Sequence, residues 1–240
     1  MNARIENEVL AVSNNQLLKH TIQVHKFGGS SLASIQCINR VVEIIKNHCQ
    51  LNDIIVVSAN GDTTDALFSI LEQANTHDDA LVESITALEL SQVELISALL
   101  NKGSAARLVE QLTRDIEQLK EWINDNPTLH TNDILAFGEV WSARLLSAVL
   151  SQQVCPSHMI DARDFLRIDN EIDCNVDFEQ SIKHFQQCGQ QNSLAVVTGY
   201  ISRDNAGITR TLGRNGSDYS ATILAAIAQA SSVTLWTDVD

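Results

Sequence analysis

The chain has 240 residues, long for one small domain and suited to one large α/β domain or two small ones. Its 44% hydrophobic share is enough to bury a sizeable core. A net charge of −14 argues against nucleic acid or an anionic membrane as a main partner, so any anion pocket depends on a few locally placed cations.

Residues 1–20 are polar and mildly acidic. They lack the basic start, apolar centre and small-residue cleavage site of a signal peptide, and they read as an extension in which Ile5 to Leu18 can form a helix. With no unbroken apolar run of bilayer length, the expected location is cytoplasmic. The first strand, Ile22 to Lys26, leads through Lys26-Phe27-Gly28-Gly29-Ser30-Ser31 into a helix over Ser34 to Asn47, with Ile38, Val41, Val42 and Ile45 on one face. A strand over Asp53 to Ser58 follows. Helical patterns then run through Thr64 to Gln73, Leu81 to Leu100, Ala105 to Asn124 and Thr131 to Gln152, a helical insertion in the strand-helix alternation. The remaining strands are His158 to Ile160, Ser193 to Thr198 and Ser232 to Asp238, with helices over Phe178 to Gln190 and Asp218 to Gln229. Asp204-Asn205-Ala206-Gly207 marks a hairpin turn between Tyr200-Ile201 and Thr211-Leu212. The strands are short, β-branched and nearly continuously apolar, as in parallel sheets buried on both faces. The predicted fold is therefore α/β, a doubly wound, mostly parallel sheet sandwiched by helices.

In such sheets ligands bind beyond the carboxyl ends of the strands. Lys26, Ser58, Thr198 and Asp238 all stand at predicted strand ends. The glycine turn after Lys26 lets backbone N–H groups approach an anion, and the lysine adds charge, a combination that suits phosphate. It is neither the Gly-Lys-Ser/Thr phosphate loop nor Gly-x-Gly-x-x-Gly. The five cysteines are odd in number, with no Cys-x-x-Cys pair. The seven histidines show no His-Glu-x-x-His spacing, so no protein-bound metal is expected.

Further segments occur in order: Val56-Val57-Ser58-Ala59-Asn60-Gly61-Asp62-Thr63-Thr64-Asp65, Phe137-Gly138-Glu139-Val140-Trp141-Ser142-Ala143-Arg144-Leu145, Leu212-Gly213-Arg214-Asn215-Gly216-Ser217-Asp218-Tyr219-Ser220-Ala221, and Leu235-Trp236-Thr237-Asp238. Together they resemble the aspartokinases of the amino acid kinase family over residues 21–240, and within these the kinase part of the bifunctional, methionine-linked aspartokinase/homoserine dehydrogenases. The resemblance implies phosphoryl transfer from ATP, carried with Mg2+, to the side-chain carboxylate of L-aspartate, in a homo-oligomer when the protein is full length. That acceptor is already ionised at neutral pH, so positioning and charge neutralisation carry the catalysis. By resemblance, Lys26 stabilises the transferring phosphoryl group and Asp218 holds Lys26. Gly28, Gly29, Ser30, Thr237 and Asp238 line the phosphates, while Ser58, Thr64, Glu139 and Arg214 hold aspartate.

Plainer readings stand beside these. Asp218 is also a first-turn acid favoured by the helix dipole, Thr63 or Thr64 a helix cap, Arg214 a surface arginine, and Glu139 the partner of a structural arginine. Asp161-Ala162-Arg163-Asp164 reads as a solvated turn, and Trp122, Trp141 and Trp236 as packing residues. In the family the last strand continues into Gly-x-Tyr and Asp-Pro-Arg, which are absent here. The chain is accordingly expected to be a fragment with an incomplete nucleotide site and little activity alone. A non-catalytic aspartate-binding module and another acid kinase of the same fold are the alternatives.

Overall fold

The computed structural model describes residues 21–169, 175–188 and 192–237. The expected extension over 1–20, its Ile5 to Leu18 helix, Cys174 and Asp238 lie outside the described residues. Strands β1 (Gln23–Phe27), β2 (Ile54–Val57), β3 (Ser157–Ile160), β5 (Leu194–Thr198) and β8 (Ser232–Trp236) form a parallel sheet in the order β3-β5-β2-β1-β8. Position in that order explains the composition of each strand. The inner strands β1, β2 and β5 are almost wholly buried, β2 and β5 apolar but for Thr198 and β1 carrying His25 and Lys26 into the interior, whereas the outer strands β3 and β8 keep the more exposed Ser157, His158, Ser232 and Thr234.

Because side chains alternate along a strand, the two sheet faces divide the core. Phe27, Ile55, Val57 and Val196 pack against one layer, which contains α1 (Ile35–His48), α2 (Thr63–Thr76), α3 (Leu81–Leu99) and α4 (Lys102–Asp125). Val24, Ile54, Val56 and Val197 pack on the other face, against Ala221 and Leu224 of α8 (Gly216–Ala228). Helix α5 (Thr131–Gln153) serves both clusters, with Leu145 and Val149 in one and Ala136 and Val140 in the other. It is long and apolar enough to cross a membrane, yet 83% of its most apolar window is buried inside the protein, which marks it as the core helix.

The buried face of α1 is the predicted one, and Ser34 caps that helix by accepting from the Cys37 N–H at 3.2 Å. The helical insertion is formed by α2 to α5. The predicted hairpin pairs β6 (Ile201–Asp204) with β7 (Thr209–Thr211) antiparallel, but in a separate three-stranded sheet with β4 (Arg167–Ile168). The Asp161 to Asp164 stretch is a correction. Instead of a solvated turn it starts the short helix α6 (Ala162–Phe165), where Asp161 accepts from the Arg163 backbone N–H at 2.9 Å and pairs with its guanidinium at 2.6 Å. Helix α7 (Phe178–Gln187) packs beside it, with Phe185 edge-on to Phe165.

Candidate active site

The carboxyl ends of β1, β2 and β5 open onto a cavity of about 580 Å³, whose lining includes Lys26, Ser58, Thr64, Glu139, Arg214 and Asp218. Six residues from five separate segments thus meet at the sheet edge. A larger groove of about 690 Å³ lies among α1, α2 and α3, but no lysine or arginine lines it, so it has no means of neutralising a bound anion.

Lys26 is the penultimate residue of β1 and lies on the face packed by α8, the opposite face from His25 and Phe27. Its Nζ is 2.5 Å from Asp218 Oδ1, a direct charge contact rather than an aligned hydrogen bond. Asp218 stands in the first turn of α8, where the helix dipole also favours an acid, so the structural reading and the lysine-holding geometry coexist. The lysine side chain is only 11% exposed, and burying its charge without a partner would be costly.

Glu139 enters from α5. A Cβ on the preceding Gly138 would stand 2.9 Å from Ala59 Cβ, so only glycine lets the helix approach the loop after β2 this closely. The approach brings the Glu139 carboxyl, 3% exposed, to the backbone N–H of Ala59, which donates to it. Its Oε2 has no hydrogen-bond partner among the described residues. Burial pushes this carboxyl up to about 8, against the opposing pull of the Ala59 N–H and the Lys26 charge. Among the described residues no structural arginine pairs with it: Arg144, on the same helix, pairs with Asp115 of α4. The same carboxylate accepts from Trp141 Nε1 at 2.8 Å.

Thr64 faces the cavity, while Thr63 does not. Thr63 donates to the Asn60 carbonyl at 2.6 Å and accepts from Gln92 Nε2 at 3.1 Å, and neither threonine is the cap of α2, a position held by Asp62. Arg214 sits exposed at the tip of a turn closed by the Gly216 N–H on the Gly213 carbonyl at 3.0 Å, with Asn215 in the left-handed region at φ 60°. Among the described residues no acid pairs with its guanidinium, which leaves the fork available to a carboxylate ligand.

The glycine turn divides. Gly28 leaves space beside the lysine, since a Cβ there would lie 3.5 Å from Lys26 Nζ and 4.0 Å from Ser30 Oγ. Gly29 is occupied with packing: its carbonyl accepts from Leu32 and Gly61, and a Cβ would approach Ala59 O to 2.9 Å. Neither glycine lines the cavity, nor do Ser30 and Thr237, both exposed. Thr198 is a correction. It is fully buried and its hydroxyl accepts from the Ala162 N–H at 2.7 Å, tying β5 to α6 instead of reaching the ligand edge.

Sequence reasoning missed Tyr200 and Asp65, and assigned no role to Asn215 and Ser217; all four line the cavity. Tyr200 has φ 63°, held by its N–H on Ser220 Oγ at 2.9 Å and by a tight turn from Ile201 N–H to the Gly199 carbonyl at 2.7 Å. A bulky residue in that region is strained, a condition that collects at functional sites. The available signal was Gly199-Tyr200 directly after a buried strand.

A profile of the Amino acid kinase family matches residues 21–240. Bifunctional aspartokinase/homoserine dehydrogenase 2 of Escherichia coli (strain K12) is 43% identical over 221 residues, covering 90% of this chain and 27% of that protein. The chloroplastic bifunctional aspartokinase/homoserine dehydrogenase 2 of Arabidopsis thaliana is 32% identical, covering 90% of this chain and 25% of its own. The chain thus spans about a quarter of the length of these curated relatives. The crystal structure of E. coli aspartokinase III with aspartate and ADP superposes with a TM-score of 0.80 at 26% identity, over 91% of this chain and 49% of that one.

Proposed function

Because the chain belongs to the amino acid kinase family, we propose that its cavity binds L-aspartate and receives the γ-phosphoryl group of ATP onto the side-chain carboxylate, giving 4-phospho-L-aspartate. The observation that carries this reading is the buried Lys26, held by the partly exposed Asp218, facing Glu139 and Arg214 across one cavity. Cationic groups flank a space for two anions, and one buried carboxyl waits for a cation. An aspartate ligand matches this set. Its α-carboxylate meets the planar fork of Arg214, its α-ammonium meets Glu139, and its reacting carboxylate is directed at Lys26.

The residues also fit a nucleotide's terminal phosphates. The space left by Gly28 is bordered by Lys26 Nζ and Ser30 Oγ, and the α8 N-terminus, with Gly216 and Ser217, lines the cavity that Lys26 also lines. When bound, Mg-ATP supplies the transferable phosphoryl group and part of the charge neutralisation. Lys26 neutralises charge on that group as it moves, and Asp218 keeps the lysine from swinging toward solvent. Ser58 and Thr64 add hydroxyl contacts to aspartate. Pathway role, full-length homo-oligomer, methionine-linked subtype and cytoplasmic location belong to the same proposal.

The test is acyl phosphate formation from L-aspartate and Mg-ATP, trapped with hydroxylamine as the hydroxamate. Product formed with L-aspartate but not with L-glutamate or bicarbonate supports the reading. A preference for either of those acceptors would move the chain to another branch of the family.

A further inference from the structure

On the opposite face of the sheet from Lys26, three residues of unrelated sequence position converge. His25 of β1, Cys49 at the end of α1 and Asp53 before β2 each offer a ligand atom, and these atoms lie within 4.8 Å of one another. His25 is 3% exposed and its Nε2 has no hydrogen-bond partner among the described residues, while its Nδ1 accepts from the Trp236 indole N–H at 3.3 Å. Asp53 is fully buried, and its carboxylate is oriented by the backbone N–H groups of Gln23 at 2.8 Å and Gln50 at 2.7 Å. Cys49 is half-buried and provides the approach from solvent.

We propose that His25, Cys49 and Asp53 form a site for a divalent transition-metal ion of the Zn2+ type. An imidazole, a thiolate and a carboxylate make a mixed N/S/O donor set that suits Zn2+ and discriminates against Mg2+, which prefers all-oxygen coordination. Tetrahedral Zn2+ wants its donors roughly 3.5 Å apart, so binding closes the widest separations by no more than about an ångström, a movement open to the half-exposed Cys49 at a helix end. The two amides on Asp53 act as the fixed outer support that ligating carboxylates use. Binding displaces the Cys49 thiol proton to solvent, and water completes the coordination.

The ion also has a built-in reporter. Coordination through His25 Nε2 places the ring proton on Nδ1, where it opposes the Trp236 indole N–H, so that contact must open. Trp236 stacks on His25 and on Phe27 with centroids 6.3 Å and 5.9 Å away, and it is the last residue of β8, next to Thr237. Occupancy is therefore transmitted to the end of an outer strand of the sheet.

The purified chain, stripped with chelator, is titrated with Zn2+ and separately with Co2+ as its coloured substitute. The expected results are one ion per chain, an intense thiolate-to-Co2+ absorption band, and a change in tryptophan emission that Trp236→Phe abolishes. Cys49→Ala should lose the band and weaken Zn2+ binding by at least ~10-fold, while Cys155→Ala keeps both. Should Cys49→Ala fail to fold, the unmodified chain decides: Zn2+ must protect Cys49 from alkylation, read by peptide mass. Absence of a thiolate band, its survival in Cys49→Ala, or alkylation of Cys49 indifferent to Zn2+ each overturns the site.

Discussion

Replacing Glu139 by Gln should make the protein more stable at alkaline pH and a poorer binder of aspartate. The unfolded carboxyl titrates near 4.5 and the folded one near 8, because burial disfavours its charge. Between those values the folded protein holds a proton that the unfolded chain has released. Stability therefore falls as pH rises, by about 1.4 kcal/mol per unit, and levels off above the folded value. Across the window this amounts to at most about 5 kcal/mol, a large share of the stability of a domain. Gln keeps the shape and can still accept from the Ala59 N–H, but it does not titrate. The assay is denaturant unfolding of both proteins from about pH 5 to about pH 8, read as the difference between them, so that other titrating groups cancel. The Gln variant should gain progressively over that range. Aspartate binding should show the reverse side of the same proton: affinity of the Glu139 protein rises toward about pH 8 with proton release in calorimetry, and that of the variant is weak and flat. A stability difference that stays constant with pH would refute the argument, because it would mean that Glu139 is already ionised in the empty site.

Lys26→Ala, assayed in the native protein, should lower kcat at least ~100-fold with a smaller effect on aspartate KM, since the lost charge acts on the transferring group; near-normal turnover would remove Lys26 from the chemistry. Arg214→Lys keeps the charge and loses the fork, so steady-state kinetics should show aspartate KM rising more than ATP KM, and equal effects on both would point to a folding defect instead. Gly138→Ala should destabilise by about 1–2 kcal/mol in chemical unfolding, because the clash with Ala59 outweighs the helix-propensity gain of roughly 1 kcal/mol. An unchanged or raised midpoint would show that the α5 approach is not limited by that contact.

The parallel sheet, its covering helices and the Lys26, Ser58, Glu139 and Arg214 segments were legible without coordinates because each rests on a local property. Helical spacing, continuous β-branched runs and glycine turns are written in consecutive residues, and buried strands such as Ile54–Val57 have a composition that little else produces. Thr198 shows where local reading stops. Its place at a strand end suggested the ligand edge, but α6 arrived above it and took the hydroxyl. The β6–β7 hairpin was legible, but β4 and the separate sheet it completes were hidden, since Arg167–Ile168 has only two residues and acquires strand geometry from its neighbour Arg203–Asp204.

The sequence by itself determined the order of strands and helices and the chemical types brought to the sheet edge, through patterns a few residues long. Only the tertiary structure decided which of those groups are charged, paired or exposed. Glu139 is an ordinary acid in sequence, and only burial in the folded core makes it hold its proton more tightly. Lys26 and Asp218 become partners across 192 positions of chain at 2.5 Å. His25, Cys49 and Asp53 share no spacing motif, and their convergence follows from β1 and β2 lying side by side under α1. Solvation and charge–charge energies depend on distance in space, which sequence separation does not encode.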